Sequence, residues 1–247
     1  DTVLVSLMYV NNEIGAIQPI REIAKAISKS DFDRPIFHTD ACQAAGYLDL
    51  TMETLGVDLA SFSGAKIYGP KGIGFLYKKE GVALRPEIFG GGQERGFRSG
   101  TEPVELIVGF AKALEISRER KDKESRRLED LRDYFAKEIL ARIPGAQING
   151  DLKRKIPSNL SVSFPRVESE RLIIALDEKG VAVSSGSACD SKLPELPHVI
   201  IALGKGEAAA RGVIRFSLGA STTKGDLDYV LGVLSELVNK FNMKAYA

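Results

Sequence analysis

Cysteine and histidine are both scarce in this chain: its 247 residues hold only Cys42, Cys189, His38 and His198. The two cysteines form no CxxC pair and no disulfide framework, and no secretory leader is recognisable, so a reducing cytoplasm is expected. No metal site is expected either. No apolar run approaches membrane-spanning length, which speaks against a membrane partner. A formal net charge of +1, with no basic stripe interleaved with aromatics, argues against nucleic acid as the main partner. Repeats and low-complexity segments are missing as well. What remains is a chain with 44% hydrophobic side chains and alternating strand-like and helix-like stretches, enough to bury a large core in one or two α/β domains.

The run SFSGAKIYGPKG places Lys66 in a small, glycine-rich turn just past an apolar stretch, Val57 to Phe62, that reads as a buried strand. Ligands of open parallel α/β sheets gather at the carboxyl ends of strands. A lysine partly desolvated there can lose its proton near neutral pH and attack an aldehyde. A solvated loop lysine is the ordinary alternative. Two further strand-like runs end in polar groups: Val3 to Val10 leads to Asn11, Asn12 and Glu13, and Pro35 to Thr39 leads to Asp40, with Gln43 close behind. If these strands are parallel, amide, carboxylate and amine converge on one rim. Singly, Asn12 and Asp40 suit turn and cap chemistry. GGGQERGFRSGT and GPKGIG lack the Gly-Lys-Ser/Thr ending of a nucleotide loop, and Lys71 has no acidic neighbour in sequence.

Cys189 lies in SSGSACDSK, whose small and polar residues suit a surface loop rather than a core element, so its thiol is a candidate nucleophile. Cys42 is followed by Gln43 and two alanines at an expected helix start, where packing explains it. Arg215 interrupts the apolar strand VIRFSL. A charge there is costly unless it points into a polar cleft, and the planar guanidinium suits a carboxylate; an edge-strand arginine facing water is the alternative.

The motifs MYVNNEIG, HTDACQAAG, SFSGAKIYGPKGIG, GGGQERGFRSGT, VSSGSAC and VIRFSLG, in this order, resemble the cysteine desulfurases of the NifS and IscS type, in the class V aminotransferase family. The resemblance covers nearly the whole chain. It implies an α/β chain: part of a fold type I large domain with a mostly parallel sheet, then a small α+β domain. It also implies a pyridoxal 5'-phosphate cofactor. By that resemblance Lys66 is the lysine that carries the cofactor, Asp40 pairs with the pyridine nitrogen, and Asn12 and Gln43 lie beside the ring. Ser63 contacts the phosphate, and Thr101 reaches the phosphate of a neighbouring subunit, which implies a homodimer. Arg215, with Asn12, binds the substrate L-cysteine, and Cys189 accepts its sulfur for delivery to an acceptor or iron-sulfur scaffold protein.

The expected organisation is 1–120 as the C-terminal part of the cofactor-binding large domain and 121–247 as a small α+β domain carrying the cysteine loop. Pro103 opens a long helix whose charged part, Arg118 to Lys137, is a solvated face opposite a stripe of Leu128, Leu131, Phe135 and Ile139. Strands are expected at Asn159 to Phe164, Val181 to Ser184 and Val213 to Leu218, with a last helix from Lys224 to about Phe241. Two departures from the family pattern stand out. Ala65 occupies the place of a histidine, and neither His38 nor His198 matches the histidine that stacks on the cofactor ring. The latter belongs to a segment upstream of Asp1 in the family, so the chain is expected to be a fragment. Besides desulfurase activity, a catalytically silent domain and a related selenocysteine lyase or aminotransferase are therefore open.

Overall fold

The computed structural model describes residues 2–29, 34–186 and 196–244, with the side chains of residues 243 and 244 excepted. Cys189 lies outside the described residues. The chain clusters into two compact units, Asp1–Val10 with Gln18–Lys121, and Asn11–Ile17 with Asp122–Ala247.

The first unit is built on a sheet of order β1-β2-β3-β4, from β1 (Leu4–Met8), β2 (Ile36–Asp40), β3 (Leu59–Ser63) and β4 (Gly74–Lys78). β1, β2 and β3 run parallel, joined by crossovers that contain α1 (Ile20–Ser28) and α2 (Met52–Leu55). Burial alternates along β2 and β3, as the period of a strand requires. Phe37, Thr39, Ala60 and Phe62 face the core, while His38, Asp40, Ser61 and Ser63 share the half-exposed face. Buried Asp58 ties the strand starts together, accepting from the Phe37 N–H at 2.9 Å and pairing with Arg34 at 3.0 Å.

β4 is antiparallel to β3 and was not expected from the sequence. Its opening glycine conceals it, yet that glycine is required: a Cβ on Gly74 would lie 2.5 Å from the Phe62 carbonyl oxygen. Phe75 stacks on Phe62 at 4.4 Å between centroids and leans on Phe110 at 5.4 Å. The expected helix start at Cys42 is instead a run of turns closed by Ala44 N–H to Ala41 C=O and Tyr47 N–H to Ala44 C=O.

One helix, α3 (Val104–Arg142), runs from the first unit into the second. The second unit has a sheet of order β5-β6-β7, all antiparallel, from β5 (Gln147–Ile148), β6 (Asn159–Ser163) and β7 (Val213–Ser217). Its helices are α4 (Ser169–Asp177), α5 (His198–Ala202), α6 (Gly206–Arg211) and α7 (Lys224–Lys244). The buried stripe of α3 includes Leu128, Phe135 and Ile139, but Leu131 is only half-buried and Arg132 takes its place inside. Arg132 keeps its charge paired there, donating from Nε to Asp133 at 2.8 Å. The strand expected at Val181 to Ser184 does not form. Val181 N–H closes the end of α4 on the Leu176 carbonyl, and only Ser184 bridges to β7, opposite Arg215.

Candidate active site

Parallel pairing brings the ends of β2 and β3 side by side, with Asp40 in register with Ser61. Asp40 is half-buried, and its Oδ1 accepts the backbone N–H of Cys42 at 2.9 Å, a turn that fixes the carboxylate. Gln43 follows in the same turn and is half-buried. Ser63 ends β3 and Lys66 stands, exposed, in the 3-10 turn Gly64–Ile67 that follows it. That turn is closed by Gly64 N–H to Ile73 C=O and by Gly69 N–H to Gly64 C=O, with Tyr68 at a φ of 63° as its cap.

The Cys42 thiol reports what surrounds it. Burial pushes its pKa up to about 12, aided by a hydrogen bond and the negative charge of Asp40, while the positive charge of Lys66 pulls the other way. His38, expected as a strand residue, lies on β2 two positions before Asp40, with Nδ1 2.7 Å from Ser6 Oγ and Nε2 2.8 Å from Ser61 Oγ. Burial lowers its pKa against an opposing pull from Asp40.

Thr101 is exposed at the end of the GGGQERGFRSGT loop. The loop is held by Ser99 Oγ donating to the Gly91 carbonyl at 2.7 Å and by the Gly100 N–H donating to Gln93 Oε1 at 3.2 Å. Glu94 and Arg95 both take positive φ, 50° and 57°, a conformation that costs energy for residues with a side chain.

Asn12 and Arg215 belong to the second unit. Ile14 explains why: it is buried with Ile200, Ala209, Ala210 and Val213. Arg215 is half-buried, and its Nη1 donates to the carbonyl oxygens of Asn12 at 2.9 Å and Gly186 at 3.0 Å. Beside it, Glu13 is buried at 4% exposure, and the Asn159 amide donates to the Glu13 carbonyl at 3.2 Å. The sequence singled out neither Gly186 nor Asn159. Asn opening an apolar strand was the only available sign of the latter.

An acidic side chain ends one parallel strand and a lysine turn follows the end of the next, at the strand ends where α/β proteins gather their ligands. Residues 1–230 match the aminotransferase class-V family, and the chain belongs to that family. It is 46% identical over 240 residues to cysteine desulfurase IscS of Dictyoglomus turgidum and 43% identical over 242 residues to that of Clostridium botulinum; each alignment covers 97% of this chain and 60% of the relative. The chain thus spans about 60% of these curated relatives. Among solved structures, a NifS-like protein superposes with a TM-score of 0.88 at 39% identity, covering 96% of this chain and 61% of that one. A second, from Rickettsia africae, gives 0.85 at 31% identity, covering 96% and 62%. The fold is that of the NifS-like, fold type I proteins.

Proposed function

We propose that this chain is the part of a cysteine desulfurase that carries its cofactor lysine and its sulfur-accepting cysteine. The observation that carries the reading is the parallel pairing of β2 and β3, which puts Asp40 at the end of one strand and Ser63, followed by the Lys66 turn, at the end of the next. Those groups suit pyridoxal phosphate, which when bound supplies an electron sink for bonds at the substrate α-carbon. Lys66 would hold the aldehyde carbon and carry protons on Nζ. Asp40 would keep the pyridine nitrogen protonated, and Cys42 N–H fixes the Asp40 carboxylate for that task. Gln43 would lie beside the ring and Ser63 would hold the phosphate with Thr101 of a second copy; the family resemblance gives Asn12 a place beside the ring as well. Arg215 binds the L-cysteine carboxylate.

Cys189 takes the sulfur. L-Cysteine and the Cys189 thiol become L-alanine and a Cys189 persulfide: the carbon–sulfur bond breaks, a sulfur–sulfur bond forms, and no outside oxidant or reductant is needed. A similar protein, SspA, 33% identical, has been solved in complex with cysteine, which supports the substrate class. The persulfide then passes to an acceptor or iron-sulfur scaffold protein. A homodimer is supported by apolar side chains that the first unit leaves exposed beside the Thr101 loop, Phe89 at 80% and Val104 at 61% among them. The division near residue 120 is taken as the domain boundary, and the scarcity of cysteine supports a reducing cytoplasm. Among the described residues no helix is long and apolar enough to cross a membrane.

The test has two readouts. Pyridoxal phosphate is added, the protein is reduced with borohydride, and peptides are mapped; the pyridoxyl group is expected on Lys66, and finding it on Lys71 overturns the assignment. A parallel sample receives L-cysteine and is assayed for alanine and for a persulfide on Cys189. Label on Lys66 with neither product points to a catalytically silent domain, and alanine without a persulfide points to a related lyase.

A further inference from the structure

Two separate stretches of chain meet at one nitrogen of Arg215. Nη1 carries two hydrogens, and both are used: one reaches the Asn12 carbonyl at 2.9 Å, the other the Gly186 carbonyl at 3.0 Å. The backbone of the same residue pairs with Ser184, whose carbonyl accepts the Arg215 N–H at 2.7 Å.

The two stretches are held very differently. The Asn12 turn is fixed by several independent contacts: Asn11 Oδ1 accepts the N–H groups of Glu13 and Ile14 at 3.0 and 2.9 Å, Asn159 donates to the Glu13 carbonyl, and Ile14 is buried. The stretch from Ala182 to Gly186 has left α4, forms no strand, and is joined to β7 at Ser184 and to Arg215 at Gly186. Gly186 adopts a φ of 43°, which a side chain resists, and a Cβ there would meet Glu13 Oε2 at 3.3 Å.

We propose that Arg215 is a positioning residue: it pins Gly186 to the rigid Asn12 turn, and so holds in place the end of the 182–186 stretch, three residues before Cys189 in the sequence. This deepens the desulfurase reading, in which Arg215 only binds the substrate carboxylate and Cys189 takes the sulfur. The same guanidinium then holds the substrate and anchors the chain three residues before the cysteine in sequence.

The experiment uses the whole chain without cofactor or cysteine, so its result does not depend on turnover. Hydrogen exchange at the Ser184 amide and iodoacetamide alkylation of Cys189 are compared in the wild type, Arg215→Met, Arg215→Lys and Gly186→Ala. In Arg215→Met, Ser184 exchange is expected to rise by roughly tenfold and the alkylation rate of Cys189 to change severalfold, while β6 amides such as Leu160 and Val162 stay within about twofold. Arg215→Lys, which keeps a charged donor, should restore part of both signals. Gly186→Ala keeps the carbonyl but strains the tether from its other end, since its methyl group meets Glu13 Oε2 at 3.3 Å at a φ of 43°, and should shift both signals in the same direction as Arg215→Met. Unchanged Ser184 exchange and Cys189 alkylation in both Arg215→Met and Gly186→Ala overturn the proposal. So does a rise spread evenly over β6 and α7 in both variants, because it marks loss of the fold rather than of a tether. A failed alanine assay with this pattern intact refutes the desulfurase reading and leaves the tether standing.

Discussion

Nε2 of His38 lies 2.8 Å from Oγ of Ser61, one strand away on the face of the sheet that also carries Asp40. Burial lowers the pKa of His38, so the folded chain favours the neutral ring more than the unfolded chain does. The unfolded state therefore binds more protons just below its own titration point, and stability contributed by neutral His38 is present above about pH 6.5 and lost as the pH falls from there through the lower folded pKa. The melting temperature of the wild type should drop more between pH 7 and pH 5 than that of His38→Gln. Parallel curves would show that the imidazole does not carry the effect.

Lys155 gives a second window of the same sign, on the alkaline side. Burial first, then the nearby Arg132 charge, pull its pKa down to about 8, against a smaller opposing pull from Asp133. Between about pH 8 and pH 10.5 the unfolded chain holds the proton that the folded chain has released, so Lys155 adds stability as the pH rises, by about 3 kcal/mol in total. Cys42 titrates the other way in that range, so the comparison must be made against Lys155→Met. Urea unfolding at pH 7, 8, 9 and 10 should show the wild type gaining on the variant with rising pH.

With its pKa pushed up to about 12, Cys42 holds almost no thiolate at neutral pH. Its alkylation by iodoacetamide at pH 8 should be roughly a thousandfold slower than that of a free thiol of pKa ~8.5. Peptide mapping over time measures it. Labelling of Cys42 in the folded chain at the rate of glutathione would contradict the raised pKa.

Gly74 stands opposite Ser63, and a methyl group there would meet the Phe62 carbonyl oxygen at 2.5 Å. Gly74→Ala should force β4 away from β3 and destabilise the first unit by about 1–3 kcal/mol. Gly72→Ala is a control for space, since a Cβ at Gly72 meets nothing within 4 Å, although its φ of 82° adds strain of its own. Thermal melting and hydrogen exchange at β3 amides read the difference.

Much of this protein was legible in its sequence because local chemistry dictates it. Apolar runs bounded by polar turns gave the parallel strands ending near Asn12, Asp40 and Ser63, and the periodic apolar residues after Pro103 gave the long helix. The ordered motifs gave the family, and the helix-strand alternation gave the α/β class. Other features depend on partners distant in sequence. Gly74 sits in an antiparallel strand only because Phe62 lies beside it, and Arg132 enters an apolar stripe because Asp133 meets its charge there. Val181 to Ser184 has strand-like residues, but its first N–H is spent closing α4. Asn12 follows β1 in sequence, yet its segment joins the second unit because Ile14 finds its apolar partners there. Arg215 could be recognised from sequence as a charge in an apolar strand. That its guanidinium holds the Asn12 and Gly186 carbonyls follows from tertiary structure alone, since residues 203 and 29 positions apart can share one donor only after the chain has folded.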